Sequence, residues 1–340
     1  MNVLVTGSTS LLGRSLVSRL IDRGDTVSVF QRRPSGLGVT EHLGDIADGA
    51  AVAMSTDGVE AVVHLAARVA MTGPWPEFKR TNVDGTRNIV EAARASGVRR
   101  FVQVSSPSVA YYGAPLVGAT AGPADPDRAR GSYARSKALS ELVALAGHSK
   151  EMAVVALRPH LVWGPGDTQL VGRIIDRARA GRLVIVGSGA ALIDTTYVDN
   201  AADALVAAID RAPEIGGHAY VVTNGEPRPV HELLSRIVLS AGLQPPRARV
   251  PLHAARSIGF VAERIWERRR SDGDPPMTAF GAEQLSTAHW FDQRETRRAL
   301  RWAPAVNLSD GLDRLREWFE SGEGGTASLG VSTSSPRNRR

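Results

Sequence analysis

Apolar runs and polar turns alternate along the N-terminal half of the chain in a strand-then-helix rhythm. Asn2–Val5 reads as a strand, and after a glycine-containing turn Leu16, Val17, Leu20 and Ile21 recur at helical spacing. A second strand is predicted over Thr26–Phe30, a short third one before Gly44, and a helix over Ala47–Met54. The run Ala61–Ala67, apolar or small except for His64, predicts a buried parallel strand entering a small-residue turn. His64 inside such a run is expected to be a packed core histidine. Apolar helices are predicted over Val83–Ser96 and Tyr133–Gly147, with a strand at Phe101–Val104 between them. Beyond these, Ile258, Val261, Ile265 and Trp266 fall near one face of an amphipathic helix over 252–270. That helix could pack on a core, form a greasy lid, or lie on a membrane with Arg268–Arg270 toward headgroups. No apolar run is long enough to span a bilayer. Residues 321–340, rich in Gly, Ser and Thr, are expected to be disordered.

The first turn, Thr6-Gly-Ser-Thr-Ser-Leu-Leu-Gly13, sits between a strand and a helix, the context a dinucleotide fingerprint requires. Gly7 permits the tight turn and Gly13 lets the helix approach the sheet. The helix N-terminus, through Ser10, Leu11 and Leu12, offers amides to a pyrophosphate. Ser10 replaces the middle glycine of the pattern, and is expected to offer its NH, and its hydroxyl, to phosphate. The second strand ends in Gln31-Arg32-Arg33 with no acid to accept ribose hydroxyls. Arg32, with Arg33 behind it, is placed to meet a 2′-phosphate, so NADPH/NADP⁺ is the expected cofactor. Asp45, in Gly44-Asp45-Ile46, could reach the adenine amino group or cap the helix that follows.

Tyr133-Ala-Arg-Ser-Lys137 carries the candidate chemistry. With five tyrosines and three lysines in 340 residues, a chance Tyr-x-x-x-Lys should occur roughly 0.04 times. On a helix the two side chains share a face one turn apart, where an ammonium could lower the phenol pKa and make it a proton donor near neutrality.

Taken together, Thr6-Gly7…Gly13, Asp45, His64-Leu-Ala-Ala67, Asn82-Val-x-Gly85-Thr86, Ser105-Ser106, Tyr133-x-x-x-Lys137 and Arg158-Pro159 resemble the extended short-chain dehydrogenases/reductases over residues 1 to about 320. The resemblance implies an α/β fold, a Rossmann-type doubly wound parallel sheet with a smaller C-terminal substrate lobe. Residues 1–165 would form the cofactor core, and 166–320 would complete it (about 183–222) and build the lobe. It further implies that Tyr133 protonates the carbonyl oxygen, Ser106 helps hold that oxygen, and Lys137 bonds the nicotinamide ribose while depressing the Tyr133 pKa. Ile46, Leu65, Ala66, Ala67 and Asn82 would line the cofactor, with Pro159, Leu161 and Val162 on the nicotinamide face. In related reductases the two apolar helices pair across a homodimer interface.

Sugar-nucleotide members carry a diphosphate-binding arginine where this chain has Ile193, and an isoleucine leaves those charges without a partner. Leu157-Arg-Pro-His-Leu-Val-Trp-Gly-Pro-Gly-Asp167, Asp194-Thr-Thr-Tyr-Val-Asp-Asn200 and Asn224-Gly-Glu-Pro-Arg-Pro229 instead resemble the 3β-hydroxysteroid dehydrogenase-like branch. Within it they are most similar to bacterial 2-alkyl-3-oxoalkanoate reductases of long-chain olefin biosynthesis. A lipid-like β-keto acid substrate is implied, with other olefin-pathway enzymes as assembly partners. His160 stands where that group is expected to have arginine. A hydroxysteroid or sterol-carboxylate dehydrogenase is the alternative. A non-catalytic NADP-binding regulator is a third reading, disfavoured because Tyr133 and Lys137 are both present.

Composition narrows the rest. The chain has no cysteine, which excludes disulfides and thiolate metal sites. Its eight histidines lack metal-ligand spacing, so no metal is expected. The formal charge of +6 is partly in the tail and at Arg268–Arg270, without a recognition motif, so no nucleic-acid partner is expected. No signal segment precedes the first strand, which makes a cytoplasmic enzyme the default expectation.

Overall fold

The computed structural model describes residues 1–70, 72–269 and 278–326. Seven parallel strands form the central sheet: β1 (Asn2–Thr6), β2 (Thr26–Gln31), β3 (Thr40–Leu43), β4 (Ala61–His64), β5 (Arg100–Val104), β6 (Ala153–Pro159) and β7 (Ala219–Val222). Their order is β7-β6-β5-β4-β1-β2-β3. The order reverses between β1 and β4, and in a doubly wound sheet the crevice at that switch point holds the ligand. Alternating side chains of β1 feed two cores. Val3 and Val5 join one cluster with Leu16, Leu20, Ala204 and Leu205, while Leu4 joins another with Phe30, Val62, Phe101 and Val154.

The first cluster is covered by α1 (Leu11–Asp22) and by Val198–Ile215, so that helix and β7 complete the sheet from the C-terminal half. Helices α2 (Gly85–Ala95) and α3 (Gly131–Leu145) cover the other face. Their apolar sides are largely used there: Ile89, Val90, Ala93 and Ala144 are buried, whereas Leu142 on α3 is exposed. The predicted helix at Ala47–Met54 runs from Gly49 to Ser55, because Asp48, not Asp45, caps it, accepting from Ala50 N and Ala51 N at 3.1 and 3.3 Å.

The lobe has a third core, which includes Trp163, Ile193, Tyr197, Leu234 and Leu312. Its four-stranded sheet runs Arg228–Pro229, Leu192–Ile193, His289–Phe291, Leu116–Ala119. The last strand comes from the N-terminal half, so the lobe draws on chain outside 166–320. Two further helices, α4 (Leu252–Arg269) and α5 (Ala279–Gln284), form its outer edge. On α4, Ile258, Val261 and Ile265 are 58%, 55% and 40% exposed, while Ala255 is buried with Val186 and Ala282, so the helix packs on a small core by one face and leaves these apolar residues outside it. Trp266 departs from them, as its indole nitrogen is buried without a partner among the described residues. The side chains of Arg268–Arg270 lie outside the described residues. Of the tail expected to be disordered, residues 321–326 form a turn and a short helix (Glu323–Thr326), and the remainder lies outside the described residues. Among the described residues no helix is long and apolar enough to cross a membrane.

Candidate active site

The glycine turn connects β1 to α1 by contacts that tolerate no side chain. Gly7 has φ +75°, and a Cβ there would sit 2.8 Å from Ala66 N. At Gly13 a Cβ would lie 2.7 Å from Gly7 O. The backbone of the Leu65–Ala67 segment therefore lies directly against the turn, held by Leu65 N to Thr6 O (3.1 Å) and Ala66 N to Thr6 Oγ1 (3.1 Å). Ser10 differs from expectation. Its hydroxyl donates to Gly7 O (3.0 Å) and accepts from Gly13 N (3.1 Å), and its NH also points to Gly7 O (3.3 Å). Ser10 is thus the N-cap of α1, and the Leu11 and Leu12 amides are the donors left open among the described residues. These open amides at a helix N-terminus, in a cradle that a Cβ would fill, suit the pyrophosphate of a dinucleotide.

At the end of β2, Gln31 is buried and its Oε1 accepts from Ser8 Oγ, while its Nε2 has no partner among the described residues. Arg32 and Arg33 follow it and are exposed. Asp45 accepts from Ala47 N (3.0 Å) and pairs with Arg80 (2.8 Å). The Ala47 amide first, then Arg80, holds its carboxyl below the ordinary value. Ile46 packs in the core against Gly85, whose added Cβ would come 2.6 Å from Ile46 Cγ2. His64 is the expected core histidine, bridging Thr6 Oγ1 (2.7 Å) and Thr86 Oγ1 (3.1 Å), and burial lowers its pKa to about 3.

Asn82 lies in a π-helical turn, Lys79–Asp84, just before α2. Its side chain accepts from Arg68 N (2.6 Å) and donates to Arg68 O (3.1 Å) and Ser136 Oγ (2.8 Å). It ties the loop after β4 to α3, with all three bonds made to protein. Pro159, Leu161 and Val162 lead from β6 into the lobe. Leu161 has φ +44°, a conformation that costs a bulky residue on the order of 1–3 kcal/mol, and such strain gathers at functional sites.

Tyr133 and Lys137 stand one turn apart on α3, beside the end of β5. Ser106 caps the one-turn 3₁₀ helix Pro107–Ala110 that follows β5, accepting from Ser108 N at 3.3 Å. Burial raises the Tyr133 pKa, and its hydrogen bond with Ser106 pulls the other way. The neighbouring Ser105 Oγ is buried without a partner among the described residues, so it is Ser106 that meets the phenol. Lys137 Nζ donates to Val104 O at 2.6 Å. Burial draws its pKa down to about 8, against the Glu141 carboxylate, which raises it. The Lys137 ammonium is thus turned to the end of β5, one helical turn along α3 from Tyr133.

Sequence reasoning missed two groups. The first is the pair Arg158–Glu141, each side chain 1% exposed, with Arg158 Nε to Glu141 Oε2 at 2.9 Å. Glu141 follows Lys137 by one further turn of α3, and that spacing was the available signal. The second is a cleft of about 520 Å³ between α3 and the lobe. Tyr133, Val69 and Phe280 line it, as do Arg130, Arg173, Arg256, Glu263 and Glu283. No periodicity in the sequence marks these residues, which come from five separate segments.

Residues 3–223 match the NAD dependent epimerase/dehydratase family. The chain is 40% identical to a 2-alkyl-3-oxoalkanoate reductase of Stenotrophomonas maltophilia, covering 93% of this chain and 98% of that one. It is 28% identical to a sterol-4-alpha-carboxylate 3-dehydrogenase, decarboxylating, of Homo sapiens, covering 93% and 87%. Among solved structures, MoeE5 in complex with UDP-glucose and NAD superposes with a TM-score of 0.71 at 27% identity, covering 95% of this chain and 100% of that one. The chain belongs to the NAD dependent epimerase/dehydratase family, the extended short-chain dehydrogenases/reductases, and is an oxidoreductase.

Proposed function

We propose that the protein reduces a 2-alkyl-3-oxoalkanoic acid to the 2-alkyl-3-hydroxyalkanoic acid with NADPH. The observation that carries this reading is the Tyr133 phenol, beside Ser106 and opening onto a cleft lined by apolar side chains, three arginines and two glutamates. The similarity to 2-alkyl-3-oxoalkanoate reductases supports the choice of substrate class. The exposed Arg32 and Arg33, with no acid at the end of β2, support a 2′-phosphate on the cofactor.

When bound, the nicotinamide supplies the hydride to the substrate carbonyl carbon. Tyr133 gives its phenolic proton to the carbonyl oxygen as charge develops there, and Ser106 donates a hydrogen bond to the same oxygen. Lys137, positioned by Val104 O, holds a positive charge behind the phenol below a pH of about 8. Gly7 and Gly13 keep the turn close to the pyrophosphate, and the Leu11 and Leu12 amides bind it. A homodimer through α2 and α3 is part of the proposal, supported by the exposed Leu142.

The similarity to sterol-carboxylate and 3β-hydroxysteroid dehydrogenases supports a second reading, oxidation of a cyclic alcohol. The test is NADP⁺ reduction by a synthetic long-chain 2-alkyl-3-hydroxy acid beside a steroid panel. Turnover of the acid is expected. Turnover of steroids alone would move the substrate to the second reading.

A further inference from the structure

A carboxylate substrate needs a cation in the cleft, and three arginines line it beside Tyr133. Arg130 is ion-paired with Glu283. Arg173 donates to Gln169 Oε1 at 3.1 Å. Arg256 has no hydrogen bond or ion pair among the described residues.

The helix that carries it is fixed in rotation. Glu263 lies seven residues on, two turns along the same face of α4, and its Oε1 accepts from Ala279 N at 2.9 Å. Between them Gly259 packs onto the start of α5, where an added Cβ would come 2.4 Å from Ala279 N. With Gly259 against α5 and Glu263 anchored at its first turn, Arg256 is held on the cleft-facing side.

The buried histidines and Arg158 do not compete for the carboxylate. His160 Nε2 meets His289 Nδ1 at 2.8 Å, and His289 Nε2 meets Gln284 O at 2.9 Å. A carbonyl only accepts, so His289 Nε2 donates to it, His289 Nδ1 accepts, and His160 Nε2 donates. His289 is then neutral, and burial disfavours the charged form of both rings. The buried Arg158 is committed to Glu141 and to Ala121 O.

We infer that Arg256 anchors the carboxylate of the substrate, setting the preference for an acid over its neutral counterpart, an assignment that rests on the keto-acid reading above. A guanidinium can take the carboxylate by two parallel N–H···O bonds, while Val69 and Phe280 offer apolar wall to the alkyl chains.

The test compares the full chain with Arg256→Gln and Arg256→Lys, using NADP⁺ and either a 2-alkyl-3-hydroxy acid or its methyl ester. In Arg256→Gln the acid-over-ester ratio of kcat/KM should fall about 10- to 100-fold, mainly through KM for the acid. Arg256→Lys should keep part of the ratio. An unchanged ratio in Arg256→Gln, with wild type turning over the acid, would overturn the assignment and leave the keto-acid reading intact. An equal loss on acid and ester would also overturn it, since that marks a general packing effect. If wild type itself turns over neutral alcohols but not the acid, the keto-acid reading fails, and Arg256 as carboxylate anchor fails with it.

Discussion

The glycine turn and the exposed side of the α4–α5 edge of the cleft differ in how much change they can accept. At the turn, backbone lies on backbone: the space for a Cβ at Gly7 and Gly13 is already filled by Ala66 N and Gly7 O. Few residue types fit, and the positions follow from the chain's own geometry. At the cleft edge, α4 presents Ile258, Val261 and Ile265 to solvent, and its inner face is placed by Gly259 against α5, by the Glu263 carboxylate and by the buried Ala255. On the exposed side of α4 many side chains would fit. The first region suits an invariant cofactor, and the second can vary with the substrate while the hydride chemistry stays the same.

That contrast can be broken at several points. The largest stability effect should come from Glu141→Ala, which leaves Arg158 as an uncompensated buried charge behind α3. A loss of about 3–5 kcal/mol is expected, read by denaturant unfolding, whereas a loss under about 1 kcal/mol would mean that water reaches the pair. Next, Arg32→Glu should reverse the preference for NADPH over NADH by about 10- to 100-fold in kcat/KM, the scale of a charge-assisted bond lost and a repulsion gained. An unchanged preference would remove the 2′-phosphate assignment. Smallest, Val261→Ser on the exposed face of α4 should shift stability by no more than about 0.5 kcal/mol. A larger loss would show that this face is covered in solution.

The same contrast decides what was legible in the sequence. Gly7, Gly13, His64 and the Tyr133–Lys137 pair could be read because each rests on local geometry: a turn between strand and helix, an apolar run, a one-turn spacing. The doubly wound parallel sheet followed from the resemblance those residues carry. The role of Ser10 was misread, since its sequence position shows that a hydroxyl is available but not that Gly7 O and Gly13 N will take it. That the Lys137 ammonium would bond Val104 O was not legible for a similar reason, because that carbonyl arrives from β5, 33 residues away in sequence. The cleft was not legible, since Arg130, Arg173, Arg256 and Phe280 meet only in the folded chain. The strand Leu116–Ala119 likewise gave no sign that it would join the lobe sheet rather than the core.

The central claim is that Tyr133 supplies the proton in a site whose cofactor half is formed independently of it. It is tested most directly by measuring NADPH binding and turnover together in wild type and Tyr133→Phe. The account predicts NADPH affinity within about threefold of wild type, because removing one hydroxyl from the cleft touches no group at the glycine turn. It predicts turnover lower by about 10²- to 10⁴-fold, the share of a positioned general acid. Turnover equal to wild type with NADPH bound would contradict it.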